Sequence, residues 1–316
     1  MARGRTLHMP AMVVAAVLVA CALALLTVEQ KAEAAFPGKN GRIAYLGVCG
    51  RGGGICTINP GGGGNTKVTN GEEPSYSPNG RRIAYSQWDG HDSEIYTINV
   101  GGGGKVQVTH NNNNDFGPSY SPGGKKIVYA GKEGNDPNVY TDTEIYTINV
   151  GGGGKRQVTH NNVFDDSPSY SPNGKKIAFG SSDPSGIDGE IYTINVGGGG
   201  KFNVTDNRRS DYDPDYSPDG KRIAYTGYDG HDSEIYTIKA GGGGRFPVTN
   251  NAKDDQDPSY SPDGKKIAYT GYKVFGSSDD EDFDSEIYTI KVGGGGKSQV
   301  TDTKSFASDP SWGSHP

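Results

Sequence analysis

Six copies of one unit occupy most of this chain, led by prolines at Pro74, Pro118, Pro168, Pro214, Pro258 and Pro310, so that successive units are 44–52 residues long. A period in this range marks a solenoid, a propeller or an array. Each unit runs Pro-Ser-Tyr-Ser-Pro-x-Gly or a close variant, a basic pair and Ile-Ala-Tyr. A variable loop follows, then Glu-Ile-Tyr-Thr-Ile, Gly-Gly-Gly-Gly and Val-Thr. β-branched and aromatic runs separated by Gly, Pro, Asn and Asp clusters read as short strands. Four fit each unit: A (Pro-Ser-Tyr-Ser), B (Ile-Ala-Tyr), C (Ile-Tyr-Thr-Ile) and D (ending Val-Thr). Ser-Pro-Asn-Gly and Ser-Pro-Asp-Gly are turn sequences between A and B, because Pro presets φ and Gly accepts positive φ.

In strand C, Ile95 points to one face, and Tyr96 and Ile98 to the other. A strand apolar on both faces fits a blade sandwiched between two others, as in a β-propeller. The repeats begin at a B strand, Ile43-Ala44-Tyr45, and finish on an isolated A strand, Asp309–Gly313. There are six strands of each kind, so the last can complete the first blade and leave no open sheet edge. The expected fold is all-β: a six-bladed propeller of four-stranded antiparallel blades, closed by the C-terminal strand.

Ahead of the repeats, Arg3 and Arg5 precede an uncharged apolar run, Ala11–Val28, and Ala32-Glu33-Ala34 offers the small residues a signal peptidase reads. The expected organisation is a signal peptide over 1–34 and a single propeller over 35–316. The chain is then exported: periplasmic, envelope-bound or secreted. Two alternatives stay open, a retained membrane anchor and lipidation at Cys21 within Leu18-Val19-Ala20-Cys21. The whole chain has 31 basic and 37 acidic residues. Loss of Arg3, Arg5, Lys31, Glu29 and Glu33 with the leader leaves a net charge of about −7, unlike a nucleic-acid footprint. Cys49 and Cys56 are the cysteines outside the leader, and in an exported protein they are expected to form a disulfide.

Asp257–Tyr269 reads Asp-Pro-Ser-Tyr-Ser-Pro-Asp-Gly-Lys-Lys-Ile-Ala-Tyr and is followed by Glu-Ile-Tyr-Thr-Ile and Val-Thr. This unit resembles the WD-like propeller repeat of the TolB family, and the resemblance covers residues 40–313. It implies the propeller fold and specifies no activity. It does not extend to the N-terminal α/β domain of TolB, nor to the hydrolase domain that follows similar propellers in prolyl-oligopeptidase-like peptidases.

Near-identical blades supply few of the unlike groups that an active site needs around one reacting atom. The tetraglycines followed by Lys lack P-loop spacing and precede a strand, so they read as hairpin turns. No catalytic residue is assigned. His91 and His231 sit in duplicated Asp-Gly-His-Asp-Ser-Glu loops, and His110 and His160 in duplicated links. Repeat duplication explains them better than metal ligation. Acid-rich Lys273–Asp284 lacks an EF-hand pattern.

Charge placement is more informative. The D–A links and B–C loops share one rim of the ring and hold every mature carboxylate except Asp219 and Asp263. The other rim holds five basic pairs, Arg81-Arg82 to Lys265-Lys266, and the cations beside the glycines: Lys105, Lys155, Lys201, Arg245 and Lys297. On the acidic side, Glu73, Asp213, Asp257 and Asp309 precede leading prolines, and Asp115, Asp165, Asp211 and Asp255 lie two residues further back. These eight are the expected ligand-binding ring, with Asp213, Asp257 and Asp309 as metal ligands. Oxygen donors favour calcium or magnesium, so calcium is the expected ligand, although the fold requires no cofactor. The expected function is a monomeric, non-enzymatic scaffold binding a protein or basic peptide at the acidic face. Nucleic acid is not expected, and a membrane is met only through an uncleaved leader. Two alternatives remain: a metal-dependent hydrolase or lyase at the channel mouth, and a structural envelope protein.

Overall fold

The chain divides into two compact units, Met1–Ala32 and Glu33–Pro316. A computed structural model describes residues 38–50, 52–132, 142–182, 188–275, 282–303 and 305–315, all in the second unit. The expected leader, Cys21 and the acidic stretch 279–281 lie outside the described residues. Among the described residues, no helix is long and apolar enough to cross a membrane.

Among the described residues, twenty-four strands form six antiparallel four-stranded sheets. Each sheet is one blade, with A innermost. The A strands of blades 2 to 6 are Glu72–Tyr76, Asp115–Tyr120, Asp165–Tyr170, Asp211–Tyr216 and Asp255–Tyr260. Blade 1 takes its A strand from the other end of the chain: Ala307–Ser314 pairs with Asn40–Val48, placing Ile43 opposite Trp312 and Ala44 opposite Ser311. The ring is closed as expected. The closing strand is also bonded to both neighbours. The Trp312 N–H donates to Ser259 Oγ at 3.0 Å, and the Tyr76 N–H to Ser311 Oγ at 3.1 Å.

The core lies between blades. Ala84, Ile95 and Val108 of blade 2 pack against Tyr120, Ile127, Tyr129, Tyr146 and Ile148 of blade 3. Tyr96 and Ile98 of the same blade face Ala44 and Ile55 of blade 1. Strand C is therefore apolar on both sides because both sides are buried. The small residue of B, usually Ala, leaves room for the neighbouring blade's tyrosines. At the closure, Trp312 stands where the other blades have Tyr.

Blade 1 carries the expected disulfide, Cys49–Cys56, with Cα atoms 6.1 Å apart. Cys56 lies opposite Tyr45, as Tyr96 lies opposite Tyr85 in blade 2. In the other five blades this tyrosine carries a cation from strand D over its ring. Lys105 lies 4.1 Å from the Tyr96 centroid, Lys155 4.3 Å from Tyr146, Lys201 4.3 Å from Tyr192, Arg245 3.8 Å from Tyr236 and Lys297 4.2 Å from Tyr288. Blade 1, lacking the tyrosine, has Asn65 in place of the cation. The two substitutions together remove a cation–π pair. The cations beside the glycines are thus engaged by rings of their own blades. The second members of two basic pairs are similarly engaged. Arg82 donates to Thr97 Oγ1 at 2.7 Å, and Arg222 to the Thr237 carbonyl at 3.0 Å.

Candidate functional site

The site begins with an irregularity common to every A strand. In each blade the pairing of A with B shifts register just before the leading proline. The residue at the shift has positive φ: Glu73 (51°), Gly117 (58°), Ser167 (47°), Asp213 (53°), Asp257 (55°) and Asp309 (52°). Only Gly enters this region freely, and Asp tolerates it better than most residues. Apart from these five non-glycine residues, only Asp206 has positive φ among the described non-glycine residues. Left-handed residues that recur at one place mark a site held by its surroundings. Here the bulge presents residues of one layer to the axis of the ring.

The axis is a channel of about 190 Å³ lined by the pre-proline residue, the proline and the following residue of each blade. Its walls consist only of Glu, Asp, Ser, Pro and Gly. The ring is uneven. Glu73, Asp213, Asp257 and Asp309 supply carboxyls, whereas blades 3 and 4 supply Gly117 and Ser167. Asp215, absent from the sequence expectation, adds a carboxyl one layer down, where the other blades have Ser. It accepts the Tyr260 N–H at 2.7 Å and bonds Ser169 at 3.3 Å. The homologous bonds from Tyr76 and Trp312 end on serines, so one Asp in this belt was detectable as a break in the repeat.

Hydroxyls and N–H groups hold the carboxyls in place. Glu73 Oε2 accepts from Ser86 Oγ at 2.6 Å and from the Gly117 N–H at 2.8 Å. Asp213 Oδ1 accepts from Ser167 Oγ at 2.7 Å. Thr270 Oγ1 donates to Asp257 Oδ2 at 2.8 Å and accepts the Asp309 N–H at 3.2 Å. Burial, then neighbouring negative charge, pushes Asp213 up to about 7 and Asp257 up to about 8. Asp309 is raised well above the ordinary carboxylate range for the same reasons. Asp166, one residue behind the ring, is pushed up to about 7 by burial and by Asp165 and Glu73. The channel is therefore a proton-retaining cluster of oxygen donors.

The four acids three residues before the prolines are placed elsewhere. Asp115, Asp165, Asp211 and Asp255 are at most 1% exposed and do not line the channel. Each accepts from an Asn of its own link, as Asp115 does from Asn111 at 2.6 Å and Asp255 from Asn251 at 2.7 Å. The positive charges of Lys155, Lys201, Arg245 and Lys297 act on them in turn. The pattern explains its own exception. Blade 2 has Gly71 in place of this Asp, and there Lys105 Nζ donates to Gln87 Oε1 at 2.6 Å. The side chains two positions before the bulge turn into the blade, where burial pushes Asp115 and Asp211 up to about 7 and Asp255 up to about 6, so these four are internal acids; their placement in a ligand ring is corrected.

The Glu of Glu-Ile-Tyr is likewise internal. Glu94 Oε1 accepts the Asn111 N–H at 2.6 Å, and Glu286 Oε1 the Thr303 N–H at 2.8 Å. Much of the acidic rim is therefore structural. His91 and His231 are exposed. Asp213, Asp257 and Asp309 share the channel, whereas the described carboxylates that bring three oxygens within 4.8 Å are Asp89, Asp92 and Glu94.

The family model of the TolB beta propeller domain matches residues 73–226 and 201–315. The chain belongs to the TolB β-propeller family. The crystal structure of TolB from Acinetobacter baumannii superposes with a TM-score of 0.70 at 21% identity, over 86% of this chain and 66% of that one. This chain thus spans just under two thirds of that TolB. Putative TolB from Agrobacterium tumefaciens gives 0.63 at 21% identity, covering 84% and 89% of the two chains. Oligogalacturonate lyase in complex with manganese gives 0.50 at 14% identity, covering 84% and 74%. At these identities the likeness concerns the fold. No curated protein sequence matches this chain.

Proposed function

We propose that this TolB-family propeller is an exported binding scaffold whose channel receives a cation: calcium, or the charged group of a basic segment. The carrying observation is the one-sided ring of Glu73, Asp213, Asp257 and Asp309 on left-handed residues, with Asp215 beneath it. Keeping four side chains in a sparsely populated backbone region costs roughly 1 kcal/mol or more each, and the bulges direct carboxyls toward one small space. A volume of about 190 Å³ holds a hydrated ion or one cationic side chain, not a folded segment. Calcium accepts six to eight oxygens in loose geometry, which carboxyls and hydroxyls from separate blades can offer. The disulfide and the leader sequence support export.

Titration calorimetry of the mature chain at pH 8, with millimolar calcium and with a lysine-rich peptide, tests this reading. Heat and a raised melting temperature that diminish in Asp213→Asn/Asp257→Asn/Asp309→Asn support it. No heat with either ligand, or heat unchanged in the triple variant, refutes it.

A further inference from the structure

In blade 2, strands B and C are joined through Trp88-Asp89-Gly90-His91-Asp92-Ser93-Glu94. Asp89, Asp92 and Glu94 each bring one carboxylate oxygen within 4.8 Å of the others. Two of them are already held. Asp89 Oδ1 accepts the His91 N–H at 2.8 Å and the Asp92 N–H at 3.3 Å, and Glu94 accepts the Asn111 N–H at 2.6 Å. Asp92 is different: it is 6% exposed, and its Oδ2 is buried without a hydrogen-bond partner. A buried carboxylate oxygen without compensation is costly, and two acidic neighbours raise that cost.

Blade 5 repeats the loop residue for residue as Asp229-Gly230-His231-Asp232-Ser233-Glu234. It makes the same turn, with the His231 and Asp232 N–H groups on Asp229 Oδ1 at 2.7 and 3.2 Å. There the preceding link supplies a cation: Arg209 donates to the Asp229 carbonyl, and its charge favours ionised Asp229. Asp232 is more open than Asp92. The link before blade 2 is only Asn70-Gly71 and has no basic residue. The same acidic loop thus has a built-in positive charge in one blade and none in the other.

We propose that Asp89, Asp92 and Glu94 form a binding site for one divalent cation of the calcium class, separate from the channel. The donors are all oxygen, which disfavours zinc. Calcium–oxygen distances of 2.3–2.6 Å allow donor oxygens up to about 5 Å apart, whereas magnesium at 2.0–2.1 Å allows about 4.2 Å. Water completes the coordination on the exposed Asp89 side.

Trp88 makes the site observable. It is 60% exposed and adjoins Asp89, whereas the other tryptophan, Trp312, is 1% exposed in the closing strand. Terbium, a calcium surrogate, is titrated into the full-length mature chain with excitation through tryptophan. The expected result is saturable emission, displaced by calcium and lost in Trp88→Phe, in which calorimetric binding persists. Asp92→Asn should weaken binding at least about tenfold, as removal of a ligand does. Asp232→Asn and the triple channel variant should leave the emission unchanged. Absent emission, emission that survives Trp88→Phe, an unaltered titration in Asp92→Asn, or an equal loss in Asp232→Asn would each overturn the proposal.

Discussion

Asp213 and Asp257, on the inner strands of adjacent blades 5 and 6, line one channel, and the negative charge of Asp213 adds to burial in raising Asp257.

Buried acids such as this pair make stability depend on pH. Asp213 and Asp257 are raised to about 7 and about 8, and Asp166 and Asp215 to about 7. Below about pH 4 both folded and unfolded chains hold these protons. Between about pH 4 and 8 the folded chain retains protons that the unfolded chain releases, so stability falls as pH rises. Each such proton contributes up to about 1.4 kcal/mol per pH unit. Denaturant unfolding should give a more stable protein at pH 5 than at pH 8, with the difference reduced in Asp213→Asn/Asp257→Asn. A profile flat or rising over this interval would contradict the assignment. Channel calcium, competing with the same protons, should bind more tightly at pH 8 than at pH 5.

Ring closure depends on Ala307–Ser314. Deleting residues 309–316 would expose the edge of Asn40–Val48 and remove buried Trp312. Truncating a buried aromatic side chain alone costs about 3–5 kcal/mol. The deletion should cause aggregation or lower the melting temperature by about 10 °C or more. A monomeric product with unchanged melting would show that the ends need not pair.

Gly131 accommodates an internal acid. A Cβ at this position would lie 2.4 Å from Asp115 Oδ1 and 3.2 Å from the Tyr129 ring. Gly131→Ala should therefore cost about 1–3 kcal/mol. The additional effect should be smaller when Asp115 is already Ala, and a double-mutant cycle measures this coupling. Additive effects would mean that the two positions do not press on each other.

The Cys49–Cys56 bridge spans a sequence separation of 7, a short loop. Its expected contribution is about 2–3 kcal/mol. Intact-mass measurement with alkylation should show no free thiol at Cys49 or Cys56 in the unreduced protein. Reduction should lower the melting temperature by several degrees while leaving the strand content intact. Two freely alkylated cysteines would refute the bridge.

The repeat made the fold legible, because strand residues recur with their turns and the unpaired A strand at the end has one place to go. The adjacency of Glu73, Asp213, Asp257 and Asp309 to their prolines is also a sequence fact, and all four line the channel. The sequence could not separate these from Asp115, Asp165, Asp211 and Asp255, which are the same residue type two positions earlier. That separation comes from the bulge. The left-handed residue before the proline turns a carboxyl to the axis in four of the six blades, while the acid two positions earlier turns into the blade. Nor could sequence show that Asp213 and Asp257, 44 residues apart, meet at one channel wall, or that Asp92 has a buried oxygen without a hydrogen-bond partner. Periodic local patterning determined the blades and their closure. Only the tertiary structure decided which charges meet in one small space, because burial and neighbouring charge depend on residues brought together by the ring.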